Sequence, residues 1–230
     1  MRDFRELLLA HPGRRFIVMG GAASLEADLA QAAPRQGDVV ISTNAHGVAL
    51  RRPDYALAMD ERHSRHDNAP MGPWLRARTG APIISPHGYA DVRLAHWPQN
   101  PRFVLSGMIA AWAAWAMGAK VVILAGFDAY GGDAGYVDEA RKIARDVHGP
   151  VRVVSGALQS VWPAFDPAER FGKYMPHSAI DGLKGLDGAV RIRAIKPCTV
   201  GYIDVVKGQE MTAMRHEVAR LLRHRMVEEV

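Results

Sequence analysis

The sequence predicts an α/β fold: a Rossmann-like, mostly parallel sheet flanked by helices, followed by a small C-terminal β-β-α module. Between residues 15 and 154, short apolar runs rich in β-branched residues recur, and helical segments separate them. Strands that alternate with helices form parallel sheets, and strands covered on both faces are apolar throughout. From residue 189 onward, apolar and polar residues alternate, which indicates a sheet with one polar face. We therefore expect a main domain at residues 1–182 and a small basic module at residues 189–230.

The composition is typical of a soluble globular protein. The chain has 230 residues, of which 48% are hydrophobic and 23% are charged. No apolar run approaches the ~20 residues that a membrane-spanning helix needs, and the mixed charges of the N-terminus do not resemble a secretory signal. The single cysteine, Cys198, excludes an internal disulfide and suits a reducing compartment. We therefore expect a cytoplasmic protein that does not act in a membrane.

The charge balance is basic, with a formal net charge of +5 and a sequence pI of about 9.6. Arginine outnumbers lysine, and its guanidinium binds phosphate in a bidentate manner. A solvated, arginine-rich surface is the slightly favoured explanation of the same composition. Basic residues are most concentrated at residues 215–225, so the C-terminal module is a candidate surface for a protein or nucleic-acid partner. The sequence is also compatible with a homo-oligomer.

The first part of the chain predicts a short helix at residues 4–10 and buried strands at residues 15–19, 38–43 and 54–59. Polar or glycine residues follow each strand at once. Because parallel strands bring their carboxyl ends to one edge, where open α/β sheets bind ligands, we expect these residues to lie together. They are Gly20, Gly21 and Ser24 after the first strand, Asn44 after the second and Asp60 after the third.

Two of these strand ends suggest a nucleotide. A glycine pair lets backbone amides approach a ligand, and a helix that starts at Ser24 supplies a positive dipole end for an anion. A tight turn with Ser24 as an ordinary helix cap explains the same residues. Asn44 offers a donor and an acceptor to a nucleobase or a ribose, although asparagine is also common in turns.

The segment from residue 103 to 128 predicts a helix followed by a strand, around which the rest of the sheet is organised. Residues 108–117 carry no charge and many alanines, which predicts a helix that is apolar all round, with Ser106 as its N-cap and Gly118 just after its end. Residues 120–125 predict a buried strand that delivers Asp128 to the same edge.

The other elements complete the predicted fold. A polar helix-loop over the site is expected at residues 62–78, and a lid plus linker at residues 162–188. A transition-metal site built on Asp60, His63 and His66 is disfavoured, because zinc needs three or four defined ligands and neither a cysteine nor an H-E-x-x-H motif accompanies these residues. The expected regular elements are strands at residues 81–85, 92–97, 151–154, 190–195 and 201–206, and helices at residues 133–147 and 213–225.

Three segments together resemble a known superfamily. Gly20-Gly-Ala-Ala-Ser-Leu25 resembles a G-x-G-P-S-L loop, and Ser42-Thr-Asn44 with Pro53-Asp-Tyr-Ala-Leu-Ala-Met-Asp60 resembles an N … P-D … D segment. Leu105-Ser-Gly-Met108 with Gly126-Phe-Asp-Ala-Tyr130 is similar to an S-G … G-x-D-x-Y pattern, the most specific of the three. Bacterial sialyltransferases of the CMP-sialic-acid type share these features, as does the MptE-like (DUF115) family. The latter includes 6-hydroxymethylpterin diphosphokinases.

The resemblance implies a Rossmann-like domain that binds a nucleotide sugar. It places Asp128 and Tyr130 near the nucleotide. It places six further residues around the nucleotide: Gly20, Gly21, Ser24, Asn44, Ser106 and Gly107. Two departures are notable: Ala23 replaces the proline of the family pattern, and Ala22 stands where the family has its second glycine. A Cβ there is expected to penalise a positive φ and a close approach of phosphate.

Three functions follow as hypotheses. The first is a nucleotide-sugar glycosyltransferase acting on an acceptor of unknown identity, with Asp128, Tyr130 and His177 as candidate catalytic residues. His177 is the expected general base, and His63 and His87 are alternatives.

The second hypothesis is a diphosphokinase in which Asp60 and Asp128 hold Mg²⁺, since carboxylates suit this hard ion. The third is a non-enzymatic, bacteriophage-associated protein with a decayed nucleotide site. Ala22 favours it, and so does the C-terminal module, which resembles small domains of bacteriophage proteins.

Overall fold

The chain forms two compact units, Met1–His177 and Ser178–Val230, each described by itself below. The computed structural model describes residues 2–63, 68–94, 105–145, 147, 149–175, 189–200, 203–214, 218 and 221–230. No helix in these ranges is both long enough and apolar enough to cross a bilayer.

The first unit is built on an eight-stranded sheet in which every described pairing is parallel. Its strands are β1 (Arg2–Asp3), β2 (Arg15–Met19), β3 (Val39–Thr43), β4 (Tyr55–Leu57), β7 (Ile83–Ser85), β8 (Val92–Arg93), β9 (Val121–Ala125) and β10 (Val151–Val153). A separate hairpin pairs β5 (Arg62–His63) with β6 (Ala69–Pro70). The predicted α/β fold is confirmed.

Helices connect these strands and cover the sheet. They are α1 (Leu25–Ala32), α2 (Met71–Thr79), α3 (Ser106–Ala116), α4 (Ala129–Gly132) and α5 (Ala134–Ala144). Two further segments, Phe4–Leu7 and Ala157–Ser160, are single 3₁₀ turns. The helix predicted at residues 4–10 is therefore too long: it ends because Leu8 adopts an extended conformation.

The order of the strands places a topological switch in the middle of the sheet. The order is β1-β8-β7-β4-β3-β2-β9-β10, so the chain moves outward from β2 on one side and then returns to add β9 on the other. Phe16 pairs with Val39 of β3 and with Val122 of β9. Open α/β sheets bind ligands outside the carboxyl ends of the strands at such a switch point.

Helix α3 is buried on all sides, as its composition predicts. Every residue from Gly107 to Ala116 is buried. The helix packs on β2, β3, β4 and β9 and also contacts α5, and Phe4 stacks on Trp112 with ring centroids 5.4 Å apart. An uncharged helix is stable here because no face of it meets water.

The two ends of α3 differ in how well they were predicted. Gly118 has φ +98°, and the amides of Gly118 and Ala119 donate to the carbonyls of Trp115 and Ala114, so the glycine ends the helix as expected. The prediction that Ser106 caps the other end is wrong. Leu105 is the N-cap residue, and the Ser106 hydroxyl instead accepts a hydrogen bond from the amide of Met59 at 3.2 Å.

The described part of the predicted lid, residues 162–175, first pairs with β10 and then runs to the amino edge of the sheet. Arg152 pairs with Glu169, and Phe171 packs on the core. Tyr174 packs against Gly13, which precedes β2, and against Gly118, which precedes β9. The segment therefore runs along the side of the sheet from β10 to the amino edge and does not cover the cleft side, so the prediction of a lid is wrong for it.

The second unit contains more strands than the predicted β-β-α module. An antiparallel sheet has the order β14-β11-β15, formed by β11 (Ala189–Ala194), β14 (Glu210–Met214) and β15 (Val227–Glu229). A hairpin joins β12 (Cys198–Val200) to β13 (Ile203–Val205). The helix predicted at residues 213–225 begins too early, because residues 210–214 pair with β11, and the described helical positions are 218 and 221–223.

Candidate functional site

A cleft of about 550 Å³ lies at the carboxyl ends of the central strands. Its walls come from the loops after β2, β3, β4 and β9 and from the start of α3. Seven of the residues singled out in the sequence line it: Gly20, Gly21, Asn44, Asp60, Ser106, Gly107 and Asp128. The cleft is therefore at the switch point of the sheet.

The described lining of the cleft does not include the other singled-out residues. Ser24 precedes α1 but makes no capping bond, since its hydroxyl donates to Asp28. Tyr130 belongs to α4, and its side chain lies outside the described atoms. His177, His66 and the side chain of His63 also lie outside the described part of the chain.

The loops after β2 and β9 interlock through their backbones. The amide of Gly20 donates to the carbonyl of Ala125 at 2.8 Å, and the amide of Ala22 donates to Gly126 at 3.0 Å. A Cβ on Gly20 would lie 2.3 Å from the Gly126 oxygen, so only glycine fits there. Ala22 does not adopt a positive φ, so the expected conformational penalty at this departure from the family pattern is absent.

Phe127 explains why a glycine follows Ser106 at the start of α3. A Cβ on Gly107 would lie 2.1 Å from Cε1 of the Phe127 ring, and a Cβ on Gly20 would lie 3.0 Å from Cδ2 of the same ring. The Phe127 ring therefore lies between the loop after β2 and the first turn of α3 and contacts both. The Ser-Gly and Gly-Phe-Asp segments depend on one another through this contact.

Asp28 is a site residue that the sequence reasoning missed. Its side chain is buried, with 3% of the residue exposed. One carboxylate oxygen accepts from the amide of Gly126 at 2.7 Å and from Ser24 at 3.2 Å, and the other accepts from the Ser155 hydroxyl at 2.7 Å. Asp28 thus joins α1 to the loops that follow β9 and β10. The available signal was an acid within the stripe of Leu25, Leu29 and Ala32, which faces the core.

The segment that carries Asp60 is held by three side chains. The amide of Met59 donates to Ser106, and Nε2 of His87 donates to the carbonyl of Met59 at 2.8 Å. The hydroxyl of Tyr89 donates to the carbonyl of Asp60. Burial raises the pKa of Tyr89 to about 12, so the phenol stays protonated at neutral pH and remains a donor. His87 therefore supports the wall of the cleft, and the structure gives its Nε2 a partner other than a substrate.

Asn44 has both an unusual backbone and an unused acceptor. Its φ is +55°, a left-handed conformation that asparagine tolerates better than most residues. Within the described part of the protein, its buried Oδ1 has no hydrogen-bond partner. Buried polar atoms are normally paired, so an orphan acceptor in a cleft is a candidate contact for a ligand's N–H or O–H group.

His46 follows β3 and was not singled out as a site residue in the sequence, yet it lines the same cleft. Its ring lies over Gly21, since a Cβ on Gly21 would be 2.6 Å from Cε1 of the imidazole. The contact joins residues 25 positions apart in the sequence, so no local pattern reveals it.

A metal ion at this site would need ligands from a substrate in addition to those from the protein. The described residues contain no group of three or more His, Cys, Asp or Glu side chains that could hold a metal ion. Asp60 and Asp128 both line the cleft and are exposed. One or two carboxylates are enough for Mg²⁺ only when substrate phosphates complete its coordination.

The comparisons with known proteins find few matches, and the similarity of those matches is low. No family model and no curated protein matches the chain. Two solved structures match, each covering 75% of this chain and 99% of the other. The sialyltransferase CstII from Campylobacter jejuni, in complex with a substrate analogue, cytidine-5′-monophosphate, has a TM-score of 0.45 and 12% identity. The sialyltransferase CST-II in complex with a trisaccharide acceptor and CMP has a TM-score of 0.46 and 11% identity. The resemblances to MptE-like and bacteriophage proteins have no support among these matches.

Proposed function

We propose that the first unit is a glycosyltransferase that binds a nucleotide-activated sugar in the cleft between the carboxyl ends of β2 and β9. The observation that carries the proposal is the position of the cleft, at the switch point of a parallel sheet. The interlocked glycines after β2 and β9 bring main chain, rather than side chains, to the wall of the cleft there. Such a wall suits a phosphate.

We assign the nucleoside to the part of the cleft around Asn44. The orphan Oδ1 of Asn44 would accept a hydrogen bond from a nucleobase amine or a ribose hydroxyl. The start of α3 lies on the same cleft, and its N-cap residue provides no side-chain capping bond. The first-turn amides of a helix favour an anion, so the phosphate would lie between this turn and the loop after β2.

The reaction requires an acceptor hydroxyl to attack the anomeric carbon of the sugar. The bond from that carbon to the phosphate oxygen breaks, and the nucleotide leaves with the electron pair. A general base takes the hydroxyl proton. Asp128 and Asp60 are the carboxylates that line the cleft, and His177 remains the base predicted from the sequence. Main-chain amides would stabilise the charge that grows on the leaving phosphate.

A diphosphokinase is the second candidate, because the same two carboxylates line one cleft. It differs from a glycosyltransferase in requiring ATP together with Mg²⁺ for binding and transfer.

A thermal-shift panel tests the proposal. We expect CMP, UDP or GDP to raise the melting temperature of the first unit without added metal, because a ligand that binds only the native state stabilises it. At a hundred times the dissociation constant the gain is about 2.7 kcal/mol, or roughly 5–10 °C for a unit of this size.

The panel also includes ATP, and each nucleotide is measured with and without Mg²⁺. A shift only with ATP and Mg²⁺ would replace the glycosyltransferase by the diphosphokinase, and no shift with any nucleotide would reject both. Asp128→Asn should abolish a Mg²⁺-dependent shift. Asp138→Asn, at an exposed acid of α5, is the matched control.

A further inference from the structure

His46 is fixed against the loop that follows β2. Its ring and the backbone of Gly21 are in such close contact that a Cβ on Gly21 would lie 2.7 Å from Nε2. The turn that carries the ring is held by the buried Ser42, whose hydroxyl lies 3.0 Å from the carbonyl oxygen of Asn44 and 2.9 Å from that of His46. The imidazole is therefore positioned by its neighbours while it stays exposed to the cleft.

The loop under His46 offers main-chain amides to a phosphate. Gly21 and Ala23 line the cleft, and α1 begins two residues beyond Ala23. The Ser24 hydroxyl donates to Asp28 rather than accepting from the first turn of α1, so this helix start has no side-chain cap. Its amides and dipole favour an anion.

Apart from these amides, the charged side chains that line the cleft disfavour an anion. Asp60 and Asp128 both line it, and two carboxylates repel a phosphate. The described lining residues include no lysine and no arginine, and His46 is the basic side chain among them. For a nucleotide bound at the switch point, a basic group beside the loop after β2 would offset this repulsion.

We propose that His46 binds the phosphate of the nucleotide by donating a ring N–H to a phosphate oxygen. The inference rests on the proposed function and adds a residue to it. A phosphate seated on Gly21 lies next to the ring, because the ring contacts that glycine. When the sugar–phosphate bond breaks, the phosphate oxygen keeps the electron pair, and the hydrogen bond from His46 strengthens as that charge grows. The proton of the acceptor hydroxyl goes to a separate base.

Titration calorimetry with a nucleoside and its 5′-monophosphate isolates this contact. The pairs are cytidine with CMP, uridine with UMP and guanosine with GMP. His46→Phe keeps an aromatic ring over Gly21 but has no N–H donor. We expect it to weaken monophosphate binding about tenfold, which corresponds to about 1.4 kcal/mol, and to leave nucleoside binding unchanged. His46→Gln retains a neutral donor and should lose less.

His11→Gln is the matched control, since His11 precedes β2 at the opposite edge of the sheet, where its ring bonds to Tyr55. It should leave both affinities as they are. If His46→Phe keeps the wild-type ratio of the nucleoside and monophosphate affinities, even when both affinities fall, His46 does not bind the phosphate. Wild-type protein that binds neither compound would overturn the proposed function and this inference with it. If His46→Phe fails to fold, the His46→Gln ratio decides.

Discussion

Replacing Asp28 by alanine is expected to lower the free energy of unfolding of the first unit by about 3 kcal/mol. The substitution leaves the amide of Gly126 and the hydroxyl of Ser155 without their acceptor in a buried place. Groups of this kind cost about 1–3 kcal/mol each when they lose a partner. The melting temperature should fall by roughly 10 °C for a unit of this size, which differential scanning calorimetry measures.

Two matched variants make the Asp28 result specific. Asp28→Asn keeps the shape and one acceptor, so it should lose clearly less stability than Asp28→Ala. Glu26→Ala removes an exposed acid from the same helix and should leave the melting temperature almost unchanged. If Asp28→Ala melts within 2 °C or so of the wild-type protein, Asp28 does not hold the loops together in the way its contacts indicate.

Replacing Gly107 by alanine is expected to destabilise the first unit by about 1–3 kcal/mol, the usual cost of overpacking. The added Cβ would lie 2.1 Å from the Phe127 ring, so the ring or the start of α3 must move. Since both line the cleft, we also expect any nucleotide-induced thermal shift to disappear.

A second substitution separates the clash from other effects of Gly107→Ala. Alanine is a better helix former than glycine by up to about 1 kcal/mol. In a Phe127→Ala background, Gly107→Ala should therefore be neutral or slightly stabilising, and the cycle of urea-unfolding free energies should show strong coupling. Equal costs in both backgrounds would refute the contact.

The strands and their ends could be predicted because each depends on a local pattern. Apolar runs predict buried strands, and a parallel sheet brings the residues that follow these runs to one edge. Gly20, Asn44, Asp60 and Asp128 could therefore be expected to lie together, and all four line the cleft.

Other parts of the site depend on contacts between residues distant in sequence. Asp28 bonds to Ser155, 127 positions away, and Ser106 bonds to Met59, 47 positions away. Because local helix rules treat Asp28 as an ordinary first-turn acid and Ser106 as an N-cap, they miss both bonds. The second unit was under-predicted for a related reason, since β14 and β15 are defined by their pairing with β11.

The most direct test of the nucleotide site is a crystal structure of the protein with the nucleotide that gives the largest thermal shift. We expect the phosphate within about 3 Å of the amides of Gly21 or Ala23, beside the ring of His46, with the base or ribose on Oδ1 of Asn44. A nucleotide bound away from the carboxyl ends of β2 and β9 would contradict the proposed site.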